Sequence, residues 1–158
     1  MKNSIKYFVF ILLFAFVGFS REFLFVNINA QLFTLFYKNT DYVLPSIIRI
    51  LSNFDYHSLY YFKYLLTVIY FFAYFFTTYF AVKYICIHKK NTLWVTYIYL
   101  LLLALSTLSM GYNYLINNQL GGDEYTFSRW LMGIAQSPLV CFFIIASSKL
   151  YNKFQTKQ

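Results

Sequence analysis

An all-α, polytopic membrane protein with four transmembrane helices is the fold class the sequence predicts, and three observations predict it. Of the 158 residues, 60% are hydrophobic and only 11% are charged, whereas a soluble domain carries about 25% charged residues. The apolar residues are gathered into four runs, each near the ~20 residues that a helix needs to cross a bilayer core of about 30 Å. Most of the lysines sit at the ends of those runs rather than along one basic stripe. The formal net charge of +8 therefore points to anionic lipid and to membrane topology, and away from nucleic acid. The length allows a single membrane domain of a few spans.

The first span is placed at residues 4–26. Lys2 and Lys6 precede an apolar run from Tyr7 to Phe19, and Arg21 and Glu22 follow it. A basic start, a short apolar core and the small residues Gly18 and Ser20 also fit a cleaved secretory signal. The spanning reading, with Arg21 snorkelling at the far end, is the one carried forward.

Residues 27–57 form a long connection of moderate polarity. Leu32, Phe33, Leu35 and Phe36 recur at helical spacing, as do Leu44, Ile47, Ile48 and Leu51. That pattern predicts two short amphipathic helices lying in the interface; a flexible loop with scattered apolar residues is the plainer alternative. Asp41 and Ser46 are helix-start candidates, Pro45 suits a first turn, and the rings of Tyr42, Phe54 and Tyr56 suit headgroup depth.

The second span covers residues 62–86, with an uncharged interior from Tyr64 to Val82. Ala73, Thr77 and Ala81 repeat every four residues, a ladder of small side chains expected to meet another helix. His88, Lys89, Lys90 and Asn91 close this span. The third, at 92–115, is most apolar at Leu100–Leu103 and turns polar at Ser106, Thr107, Ser109, Gly111 and Asn113. Asn117, Asn118, Gly121 and Gly122 mark a loop carrying Asp123 and Glu124, after which Ser128 is expected to cap the fourth span, residues 128–150.

Any specific function is expected to touch that fourth span. Arg129 and Trp130 open it, and Gly133, Gln136, Ser137 and Pro138 interrupt its first half. Pro138 has no amide hydrogen and crowds the carbonyl of Ile134, which predicts a kink. Hydrocarbon cannot hydrate Gln136 or Ser137, so both should face protein or a wet cavity. The plainer reading is that Gly133 and Ser137, four apart, let another helix approach closely.

The lysines set the orientation. Lys2 and Lys6, then His88-Lys89-Lys90, then Lys149, Lys153 and Lys157 fall on one side of a four-span arrangement. The other side receives all 5 acidic residues, together with Lys38 and Arg49. Both termini are therefore expected in the cytoplasm. Arg21, Glu22, Lys63, Asp123, Glu124 and Arg129 then gather near the outer face, where Glu22 could pair with Arg129 or Lys63, or each could reach water separately.

Catalytic chemistry finds little footing. Cys86 and Cys141 lie in apolar runs without CxxC spacing, and His57 and His88 fall on opposite sides, so neither a Cys–His dyad nor a shared metal is expected. No glycine loop suits a phosphate, and the intramembrane polar groups are few for a channel or transporter. No catalytic residue, metal or cofactor is expected.

Certain short motifs carry a family likeness. They are Arg21-Glu22-Phe23-Leu24-Phe25, Leu44-Pro45, Phe62-Lys63-Tyr64-Leu65, and above all Ser128-Arg129-Trp130-Leu131-Met132 followed by Gln136-Ser137-Pro138-Leu139. In these the chain resembles the small membrane proteins associated with exosortases in Bacteroidetes, of the exosortase F- or X-associated type. The resemblance implies a non-enzymatic accessory in the bacterial inner membrane, partnering another integral membrane protein of a protein-sorting system. Exosortases themselves use Cys, Arg and His on the outer side; this chain has Cys141 and Arg129 but no matching histidine. The competing reading is a small membrane enzyme or transporter subunit in which Arg129, Gln136 and Ser137 surround a lipid-linked or peptide substrate.

Overall fold

In a bilayer every backbone amide and carbonyl must be satisfied within the segment, and helices do this where loops cannot. The computed structural model describes residues 2–38, 44–86, 90–117 and 126–155, and among these there are helices and no strand. They are α1 (Lys2–Tyr37), a 3-10 helix (Ser46–Asn53), α2 (Tyr56–Ile85), α3 (Lys90–Asn117), α4 (Thr126–Ala135) and α5 (Leu139–Gln155). Three of the helices are long and apolar enough to cross a membrane, and a fourth crossing is reached if α4 and α5, bent by 59° at their junction, count as one.

The first connection differs from expectation. The helical spacing of Leu32, Phe33, Leu35 and Phe36 is real, but those residues continue α1 instead of forming a separate interfacial helix. Neither glycine nor proline stands between Gly18 and Pro45 to stop it. Asn27, the polar residue at the expected end, donates its side-chain amide to the Phe23 carbonyl one turn back, so it stays inside the helix. At 36 residues, α1 is about 54 Å long. It stops at Lys38, whose φ of 54° is the left-handed conformation that commonly ends helices.

The second expected helix exists in 3-10 form. Pro45 precedes it and supplies the carbonyl that accepts from the Ile48 amide at 3.0 Å. Ile48 and Leu51 point inward while Ile47 and Ile50 are exposed. Asp41 and Tyr42 lie outside the described residues.

α2 begins at Tyr56, ahead of the expected residue 62, because Asp55 caps it. Its carbonyl accepts the Leu59 amide at 3.0 Å. The hydroxyl and the amide of Ser58 both donate to its carboxylate, which holds that carboxyl below its usual range.

The chain divides into two compact units. One is Ala15–Tyr70. Its core is Ile28 and Leu32 from α1, Leu44, Ile48 and Leu51 around the 3-10 helix, and Leu59, Leu66 and Tyr70 from α2. The Tyr70 hydroxyl donates to Ser20 Oγ at 3.1 Å, and the Ser20 hydroxyl donates onward to the Val17 carbonyl. A polar relay thus joins two helices inside apolar surroundings.

The other unit comprises residues up to Phe14 together with Phe71 onward. In it α2 buries Phe71, Tyr74, Thr78, Ala81 and Val82, and α3 buries Val95, Tyr99, Leu102 and Ser106. The latter recur at alternating steps of four and three, the seam spacing of helices that cross at shallow angles. Phe10 stacks with Tyr84 and Phe14 with Tyr74, and α4 and α5 pack against α3.

Candidate functional site

Among the described residues, the break between α4 and α5 is a local structure built by identifiable side chains. Because Pro138 has no N–H, the Ile134 carbonyl loses its helical partner. The Ser137 hydroxyl replaces it, donating to Ile134 O at 2.7 Å. The same Oγ accepts from the Leu139 amide at 3.4 Å, so one hydroxyl closes α4 and caps α5. Pro138 then occupies the first-turn position where its missing amide costs nothing, and its own carbonyl takes the Phe142 amide at 3.0 Å. The expected kink is therefore a full interruption, made from Ser137 and Pro138 together.

Gln136 sits at the end of α4, its amide on the Met132 carbonyl at 2.9 Å. Its side chain is only 4% exposed, as its polarity demands of a group in an apolar segment.

Three further hydrogen-bonded clasps join the helices of the unit that contains the break. Ser106 on α3 and Ser128 on α4 place their hydroxyl oxygens 2.7 Å apart, and Ser128 Oγ lies 3.2 Å from the Ser106 carbonyl. A consistent arrangement has Ser128 donating to that carbonyl and Ser106 donating to Ser128. Ser128 was expected to cap the fourth span, but α4 already starts at Thr126, which frees the hydroxyl to reach across. At the opposite end of α3, Asn91 donates to Ser148 Oγ on α5 at 2.8 Å. Between α2 and α3, Thr78 and Tyr99 share a buried hydrogen bond of 3.0 Å.

Below the break, Ile98 and Leu102 of α3, Ile134 of α4, and Leu139, Val140, Phe142, Phe143 and Ala146 of α5 line an open groove of about 600 Å³ with an almost wholly apolar wall.

The small-residue ladder and the packed face of α2 share Ala81. Ala81 is fully buried, but Ala73 and Thr77 are half-buried at the edge of the contact, and the packed strip runs through Tyr74, Thr78 and Ala81. The Thr77 hydroxyl turns back to the Ala73 carbonyl. A Cβ built on Gly133 would meet nothing within 4 Å, so no described part of the chain uses its small size.

Of the expected charge cluster, Arg21, Glu22 and Lys63 belong to the unit Ala15–Tyr70 and Arg129 to the other. The Arg21 guanidinium lies over the Phe25 ring, 5.3 Å from its centroid, a geometry in which cation and ring attract. Glu22 and Arg129 are exposed and Lys63 half-buried. Asp123 and Glu124 lie outside the described residues, as do His88 and Lys89. Cys141 is buried and Cys86 half-buried, both as free thiols. Among the described residues no three His, Cys, Asp or Glu side chains are grouped as metal ligands would be.

No protein-family model matches the chain, no curated protein matches it, and no solved structure matches it.

Proposed function

We propose that the chain is a four-span protein of the bacterial inner membrane, with both termini in the cytoplasm, that acts as a non-enzymatic accessory to another integral membrane protein of an exosortase-type sorting system. The α4–α5 pair serves as one broken span. The observation that carries the accessory reading is where the polar side chains go. Thr78, Tyr99, Ser106, Ser128, Asn91, Ser148 and Ser137 are engaged in hydrogen bonds that hold helices together or cap their ends. Among the described residues no buried side-chain nitrogen or oxygen lacks a partner. An active site keeps polar groups poised for a substrate, whereas a packing scaffold consumes them.

The outward faces fit the same role. Only 6% of the most apolar window of α1, 39% of that of α2 and 22% of that of α3 is buried within the chain. The remainder faces lipid or a partner's helices. The choice of partner rests on the motifs around Arg129 and Pro138.

Co-expression with the host's exosortase, followed by affinity purification in mild detergent beside an unrelated multi-pass control, tests the proposal. The enzyme should be enriched over the control, and Gln136→Leu should leave both enrichment and sorting intact. Recovery at control level removes the partnership. A Gln136→Leu protein that is stable but abolishes sorting favours the polar-site reading instead.

A further inference from the structure

The two helices that supply most of the groove below the α4–α5 break each carry an exposed lysine, Lys90 on α3 and Lys149 on α5, and this combination points to a particular occupant. On α5, Phe142, Ala146 and Lys149 follow i, i+4, i+7 and so lie on one stripe of the helix. From Leu139 to Lys149 that helix rises about 15 Å, half of a hydrocarbon core of ~30 Å. With α5 along the bilayer normal, the apolar lining spans one leaflet and Lys149 arrives at headgroup depth.

The Asn91–Ser148 hydrogen bond joins the immediate sequence neighbours of Lys90 and Lys149. It therefore sets the start of α3 and the last turns of α5 at one level, with both lysines exposed. The Lys149 ammonium rests over the Tyr7 ring, 4.9 Å from the centroid. An ammonium has three donors, so a ring on one side leaves others for an anion. Trp94, exposed on α3 one turn from Ile98, supplies an amphipathic ring of the kind that settles at the headgroup boundary.

We propose that this groove is a binding site for one anionic phospholipid, an acyl chain lying along Leu102, Ile98, Phe143 and Ala146 and the phosphate meeting Lys149 and Lys90. The attraction between two exposed lysines and an anionic headgroup provides the selectivity, and the groove provides the residence time that an ordinary boundary lipid lacks. The site rests on the protein's being embedded in a membrane. It does not depend on the sorting partner, so either proposal can fail alone.

Full-length protein is incorporated into vesicles of equal palmitoyl-oleoyl-phosphatidylglycerol and palmitoyl-oleoyl-phosphatidylcholine, extracted in mild detergent, and its retained lipid counted by native mass spectrometry. One phosphatidylglycerol per chain is expected, favoured over phosphatidylcholine by about tenfold or more from two lysines at the surface. Ala146→Phe fills the groove and should lose the lipid. Leu139→Phe is a second blocking variant, and because both positions are exposed neither substitution disturbs the buried seam; unchanged helicity by circular dichroism confirms this. The Lys90→Gln/Lys149→Gln double variant should keep a lipid while the preference falls below about threefold. Equal retention of both lipids by the native protein, or retention unchanged in both blocking variants, overturns the proposal. So does a lipid-free dimer that Ala146→Phe dissolves, which would make a second copy the occupant.

Discussion

Removing the Ser137 hydroxyl should uncouple α4 from α5. In Ser137→Ala the Ile134 carbonyl loses the donor at 2.7 Å and the Leu139 amide loses its acceptor. A cap deletion costs about 1 kcal/mol, and an unsatisfied buried acceptor costs ~1–3 kcal/mol. Interhelical hydrogen bonds measured in membranes average only ~0.6 kcal/mol because neighbouring groups compensate. The expected loss is therefore about 1–2 kcal/mol, read by reversible unfolding in mixed micelles. Pro138→Ala is the decisive companion, because it restores an amide four residues after Ile134. In the double variant that amide takes over the carbonyl, recovers at least half of the loss, and relaxes the 59° bend. Spin labels at the exposed positions Trp130 and Leu150 would then separate by about 3 Å more, from a rise of ~1.5 Å per residue along each arm. A Ser137→Ala variant within about 0.3 kcal/mol of the native protein, or a double variant no better than the single, would refute the clip.

Three other outcomes follow from the same structure. A double-mutant cycle on Ser106→Ala and Ser128→Ala should give a coupling of about 0.6 kcal/mol, at most ~1.7, and a coupling near zero would remove the clasp between α3 and α4. Asp55 has a carboxyl held below its ordinary value, so its contribution is full above the unfolded value of ~3.9 and is lost as pH falls through the lowered folded one. Asp55→Asn keeps an acceptor for Ser58 and should flatten that acid limb in detergent unfolding, whereas an unchanged limb counts against the cap. Single cysteines at Lys89 and Gln158, labelled in intact cells with an impermeant reagent, should both be protected; labelling of one alone rejects the even number of crossings.

What was legible in the chain was chemistry that acts locally. Hydrophobic composition and run length announced the helices, and the interruption at Pro138 followed from its missing amide. The end of α1 is not legible at Asn27: hydrophobicity falls there, yet the Asn27 side chain is satisfied within its own helix and nothing else there breaks one. On α2 the small-residue ladder and the packed face within the chain differ by a rotation and meet at Ala81. Steps of four turn a helix about 40° past a full circle each time, so Ala73, Thr77 and Ala81 fan away from a line. Alternating four and three keeps Tyr74, Thr78 and Ala81 on it. The Ser106–Ser128 and Thr78–Tyr99 pairs had no sequence signature, since a hydroxyl on an apolar helix gains its meaning only from the helix opposite. Heptad spacing of Val95 with Leu102 and of Tyr99 with Ser106 was the one available clue.

The interruption at Ser137 also bears on how the protein is made. At 10 residues, α4 falls well short of a bilayer crossing, and α5 at 17 is marginal. In the proposed four-span arrangement, neither piece by itself is comfortably long enough to cross. Their entry in that arrangement awaits α3, whose Ser106 and Asn91 present docking points to the incoming segments, so the last fifth of the chain settles beside a neighbour already in place.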